Sequence, residues 1–86
     1  MIELINEKVS VLFVYNRETG KKMPQKIRWQ GRDYMMTKLG YSHKEWEGKT
    51  RIHVFHVNND TLAFKLKFNT EFLEWHLIEV SDGFAS

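Results

Sequence analysis

The stretch TLAFKLKF, residues 61–68, alternates without a break. Leu62, Phe64, Leu66 and Phe68 fall on one side, and Thr61, Ala63, Lys65 and Lys67 on the other. A two-residue period puts one set on a dry sheet face and the other in water, whereas a helix would scatter both around its axis. The chain must therefore build a sheet with one wet and one buried face. LEWHL (73–77) repeats the pattern, with Leu73, Trp75 and Leu77 inward and Glu74 and His76 outward. Ile78-Glu79-Val80 then reverses the phase, which predicts a bulge near Leu77–Ile78.

RIHVFHV (51–57) is rich in β-branched and aromatic residues and reads as a further strand. It reaches Thr61 through Asn58-Asn59-Asp60, residues that tolerate tight turns. A two- or four-residue loop sets Phe55 opposite Phe64 and Val57 opposite Leu62, a continuous aromatic row. A three-residue loop would bring Ile52 and Val54 to that face instead, because a one-residue slip turns every side chain over. In KIRWQGRDYMM (26–36), Gln30-Gly31 turns the chain and sets Trp29 near Arg32, Ile27 near Tyr34 and Arg28 against Asp33. That strand is expected to run on through Met35 and Met36 to Leu39.

VSVLFVY (9–15) is apolar on both faces, so it is either central or covered. SHKEWEG offers Ser42 as a helix N-cap, Glu45 as its capping-box partner and Gly48 as a stop. These predict one short helical turn near 43–47, or failing that an ordered loop. Residues 16–24 form a polar connection, and the tail Ser81–Ser86 is expected to fray.

Eighty-six residues have room for one core, so residues 1–86 are read as a single domain. The fold class is all-β, an antiparallel five- to six-stranded meander curled into a small half-open barrel, since a small sheet must bury one face on itself. The expected core is Phe13, Ile27, Trp29, Tyr34, Phe55, Val57, Leu62, Phe64, Leu66, Phe68, Leu73, Trp75 and Leu77.

The absence of cysteine removes disulfides and thiolate metal sites. His53 and His56, three apart on a strand, point to opposite faces and cannot grip one ion together. No nucleophile elbow, phosphate-cradling glycine loop or H-E-x-x-H pattern occurs, and the carboxylate pairs Glu45/Glu47 and Glu71/Glu74 sit in polar segments. The expectation is a non-enzymatic protein with no cofactor and no metal. No run approaches the roughly 20 apolar residues that span a bilayer, so the chain is expected to be cytoplasmic, with no membrane partner.

A net charge of +2 implies no polyanion by itself. Its distribution is uneven: Arg17–Arg32 carries six basic residues against Glu18, while the charges from Thr70 onward are all acidic. The two halves are expected to neutralise one another across adjacent strands. Against that stands a nucleic-acid surface: Lys26, Arg28, Lys65 and Lys67 at outward strand positions, with Tyr41 and Trp46 on the irregular segment between strands. Lysines neutralise phosphates and exposed rings stack on bases. The same lysines on a wet face also discourage edge-to-edge pairing, and Trp46 serves equally as a core plug. Ile2, Leu4 and Ile5 precede a strand already apolar on both sides, which argues for a protein partner or a homodimer, or for a monomer that the N-terminal segment caps. The reading is a protein-interaction or self-association module, with single-stranded nucleic acid as the alternative ligand.

Trp29, Gly31, Arg32 and Tyr34, followed by a hairpin whose last strand carries Trp75 and ends near Asp82, resemble a family of small uncharacterised bacterial all-β domains with a W-x-G-R-x-Y strand. The resemblance spans roughly residues 26–82. It implies an all-β fold and, because some members accompany DNA-repair polymerases, a tilt towards nucleic acid; it supplies no catalytic residues.

Overall fold

The computed structural model describes residues 2–82. Seven strands follow in sequence: β1 (Ile2–Tyr15), β2 (Lys22–Trp29), β3 (Arg32–Met35), β4 (Lys38–Glu47), β5 (Thr50–Asn58), β6 (Leu62–Asn69) and β7 (Glu74–Asp82). They form one antiparallel sheet in the order β3-β2-β1-β7-β6-β5-β4, which rolls up without closing into a barrel. Seven strands are one or two more than the five or six read from the sequence, and the sheet is an open one in which β1 meets β7, not a simple meander curled into a half-open barrel. Among the described residues there is no helix.

β1 is central in the pairing order, but its outer face stays uncovered, with Leu12 49% exposed. Residues 2–9 pair with β7 and residues 10–15 with β2. A bulge at Ile5–Asn6, where Asn6 takes φ 55°, and a register shift at Leu12/Phe13 let this strand bend through the roll. Ile2–Ile5 thus extends β1 and is not a separate cap. β3 runs into β4 through Met36 and Thr37. There the Met36 N–H donates to Gln25 O at 2.7 Å and the Thr37 N–H to Asn58 O at 2.9 Å. These two bonds draw β2 towards β5 at one end of the roll and leave the other end open.

The β2–β3 hairpin has the expected register: Trp29 faces Arg32, Ile27 faces Tyr34 and Arg28 faces Asp33. Gln30 (φ 53°) and Gly31 (φ 75°) supply the two positive φ values of a tight hairpin turn. The expected bulge at Leu77–Ile78 is also present, because Lys65 pairs with Glu79 but Leu66 with Leu77.

Four expectations need correction. Residues 43–47 are strand, not a helical turn. SHKEWE also alternates, and nine ladder pairs with β5 outweigh what one capped turn could offer. Gly48, at φ 64°, is the hairpin's turn residue and not a helix stop. The β5–β6 hairpin is offset by two residues from expectation, with Val57 opposite Phe64 and Phe55 opposite Leu66. Asn59 causes this: its side-chain oxygen accepts from the N–H groups of Thr61 and Leu62, so the turn moves one residue along the chain, the pairing shifts by two and the faces are preserved. Leu73 is 71% exposed at φ 57°, outside the core, because the β6–β7 turn spends it on a left-handed position. Finally, Ser81 and Asp82 belong to β7 and do not fray; residues 83–86 lie outside the described residues.

The core lies inside the roll. Ile27, Phe55, Val57, Phe64, Leu66 and Leu77 are buried, and Trp29, Tyr34, Leu62, Phe68 and Trp75 pack against them. Met23, Met36 and Val80 join this cluster without having been read from the sequence. Ile52 and Val54 are also buried, but on the opposite face of β5. Lys67 crosses that face to Glu47 at 2.9 Å and to Glu45 at 3.8 Å, so long ion-paired side chains roof the two aliphatic ones.

Candidate functional site

At the open end of the roll the inner face holds a cavity of about 520 Å³, lined by Phe13, Lys22, Ser42, His43, Lys44, His53, Phe55, Phe68 and Trp75. Its position follows from the strand registers. Lys44 pairs with His53, His53 with Phe68, and Phe68 with Trp75, so one cross-strand row spans four strands on the inner face. Phe13 reaches this row from β1 and Lys22 from the start of β2.

The rings form a contiguous floor. Phe68 and Trp75 have centroids 4.7 Å apart, Phe55 and Trp75 5.5 Å, and Phe13 lies 5.7 Å from Phe55 and 5.9 Å from Trp75. Phe13, expected to be fully buried, is 39% exposed because it forms the rim of this cavity. His53 stacks over Phe55 at 6.4 Å.

Around the rings the charge is of one sign. Lys22 and Lys44 line the mouth, and no carboxylate occurs among the described residues that line it. Lys22 is steered by Tyr15, whose ring lies 5.6 Å from Nζ. Burial, then Lys44 and then Arg51 push the His53 imidazole below its ordinary value. An aromatic floor with a cationic mouth suits a flat ring attached to an anionic group.

The residues picked from the sequence are mostly not brought here. Lys65 and Lys67 lie on the outer face, engaged by Glu79 at 3.4 Å and by Glu47 and Glu45. The hydrogen bond to Glu47 is the chief reason Lys67 sits above its ordinary value. Arg28 is held by Asp33 at 2.8 Å, and that bond lowers the Asp33 carboxyl. Tyr41 stacks flat on His56, centroids 4.3 Å apart and planes within 9°, again on the outer face. Lys26 faces Met35 and Leu12 across its neighbours, away from the cavity. Trp46 alone stands beside the site: it is 62% exposed, on the inner side of β4, one step beyond Lys44. Of the late carboxylates, Glu74 pairs with Lys8 and Glu79 with Lys65, both outside Arg17–Arg32.

Sequence reasoning missed Lys22, Lys44, His53 and the cavity-facing side of Phe68 and Trp75. The signal was there in part, since Ser42-Lys44-Trp46 and Arg51-His53-Phe55 are alternating sets. His53 and His56 do point to opposite faces, and no cluster of three metal-ligating side chains occurs among the described residues. No helix in the described residues is long and apolar enough to cross a membrane.

No family model, no curated protein and no solved structure matches this chain.

Proposed function

We propose that the protein is a non-enzymatic binding module whose inner-face cavity takes a base of single-stranded nucleic acid. The observation that carries this reading is the pairing of a four-ring floor (Phe13, Phe55, Phe68, Trp75) with a mouth of lysines and no lining carboxylate among the described residues. Ring stacking contributes about 1–3 kcal/mol per base without demanding a particular one, and Lys22 and Lys44 are placed for the flanking phosphates. The volume falls within the range of small-ligand sites, roughly 300–1,000 Å³. The test is a titration with short oligothymidylates at low salt, followed by tryptophan emission, because Trp75 lines the floor. Saturable quenching that weakens with salt and with Phe68→Ala supports the reading; no response at low salt removes it.

A second reading, self-association, draws on Ile2 (61% exposed) and Leu4 (80% exposed) on the outer face of β1. It is the weaker of the two, because Lys8 and Ser10 interrupt that face before Leu12. A dimer in sedimentation that Leu4→Glu dissolves would support it, and a monomer at high concentration would end it.

A further inference from the structure

The β4–β5 hairpin sorts its charges by face. On the outer side Glu45 accepts from His43 at 3.0 Å, and both Glu45 and Glu47 engage Lys67. On the inner side stand Lys44, Trp46, Arg51 and His53, with Lys44 opposite His53 and Trp46 opposite Arg51. The carboxylates of this hairpin are thus turned away from the face that continues the cavity.

Trp46 is the one large ring of that continuation. The Arg51 guanidinium lies 4.6 Å from the centre of its indole. One indole face is taken by Arg51, yet the residue remains 62% exposed, which leaves the other face open to solvent. By register Trp46 lies two strands over and two residues along from Phe68, about 12 Å at roughly 4.8 Å per strand and 3.4 Å per residue. That exceeds the roughly 3.4 Å rise of stacked nucleotides, so a strand running from the cavity over Lys44 to Trp46 must be unstacked and drawn out.

We propose that Trp46, backed by Arg51, is a second stacking step continuous with the cavity, so that the protein takes at least two consecutive nucleotides of one strand. This rests on the reading that the cavity accepts a base. The first base enters among Phe55, Phe68 and Trp75; the next phosphate passes between Lys44 and Arg51; the second base lies on the open face of Trp46. Arg51 has two roles here: it holds the indole upright by its cation–π contact, and it offers its edge to the phosphate.

The test compares thymidine 5′-monophosphate, the thymidine dinucleotide and the same dinucleotide with its second site abasic, each titrated against the parent, Trp46→Ala and Trp46→Phe. The parent should bind the dinucleotide at least tenfold more tightly than the mononucleotide, in line with one stacked base. Trp46→Ala should shrink that ratio several-fold, and Trp46→Phe should restore most of it. Trp46 is largely exposed, so its loss should leave the fold standing, and thermal melting of both variants checks this. An equal gain from the abasic dinucleotide would show that the phosphate alone matters and would overturn the second step. So would a ratio that survives Trp46→Ala. In either case the cavity reading stands on its mononucleotide binding, whereas failure of all three ligands to bind the parent overturns both.

Discussion

Phe68 on β6 and Trp75 on β7 face each other across the sheet with ring centroids 4.7 Å apart, and together they close the floor of the cavity. The contact belongs to both stability and binding, because the same rings that cap the core are those that a ligand would meet.

Trp75→Ala is expected to destabilise by about 3 kcal/mol, the lower part of the range for large aromatic truncations, since the cavity already exposes part of the ring. Leu77→Ala, at a position with no exposed surface, should cost a similar amount. Urea unfolding of both variants measures this. A midpoint for Trp75→Ala that matches the parent would show that the four-ring cluster does not support the fold.

Leu73→Gly should raise stability by roughly 0.5–1 kcal/mol. Leu73 sits at φ 57° and is 71% exposed, so the change relieves a left-handed backbone and gives up little burial. Its N–H still donates to Asn69 O at 2.8 Å, which keeps the turn intact. A lower melting temperature for this variant would refute the assignment of backbone strain.

Acid should weaken the fold in two stages. Burial, ahead of nearby cations, lowers both His53 and His56 from an ordinary value of 6.5. The unfolded chain therefore binds protons first: stability is full above pH 6.5 and falls as the pH drops from there through the folded values. Asp33 and Glu45, lowered chiefly by hydrogen bonds from Arg28 and His43, are lost at still lower pH, below their ordinary 3.8 and 4.5. Melting temperatures from pH 7.5 to 5 should decline in the parent and decline less in His56→Gln. Equal slopes would remove His56 from the account.

Ligand affinity should respond to pH in the opposite direction. On the proposed reading, a phosphate at the mouth would raise the His53 value that burial, Lys44 and Arg51 depress, so binding should take up a proton and tighten as pH falls from 7.5 towards 6. His53→Gln should flatten that profile while leaving the salt dependence in place.

Lysine substitutions separate the two faces. Lys22→Ala with Lys44→Ala should weaken oligonucleotide binding and lower the slope of log affinity against log salt by about 1.4, at about 0.7 per phosphate contact on a single strand. Lys65→Ala with Lys67→Ala should cost stability by uncovering Ile52 and Val54 but leave the slope unchanged. A slope that follows Lys65 and Lys67 instead would place the ligand on the outer face.

The sequence by itself determined the all-β class, the inward set on β6 and β7, the Ile27–Tyr34 hairpin register and the bulge at Ile78, because each rests on local periodicity or turn chemistry. It did not determine which lysines were free. Lys65, Lys67 and Lys44 are all strand lysines in alternating runs, and only the position of Glu79 on β7 and of Glu45 and Glu47 on β4 ties up the first two. Ser42, Glu45 and Gly48 carry the signals of a capped helical turn, and these lose to a strand that exists only when β5 is beside it. The cavity too was decided in three dimensions. It appears where β1 carries Phe13 over the β6–β7 rings, and where the bonds at Met36 and Thr37 draw β2 to β5 at one end only. No two-residue period encodes these approaches, since Phe13 meets Phe55 and Thr37 meets Asn58 only once the strands are assembled.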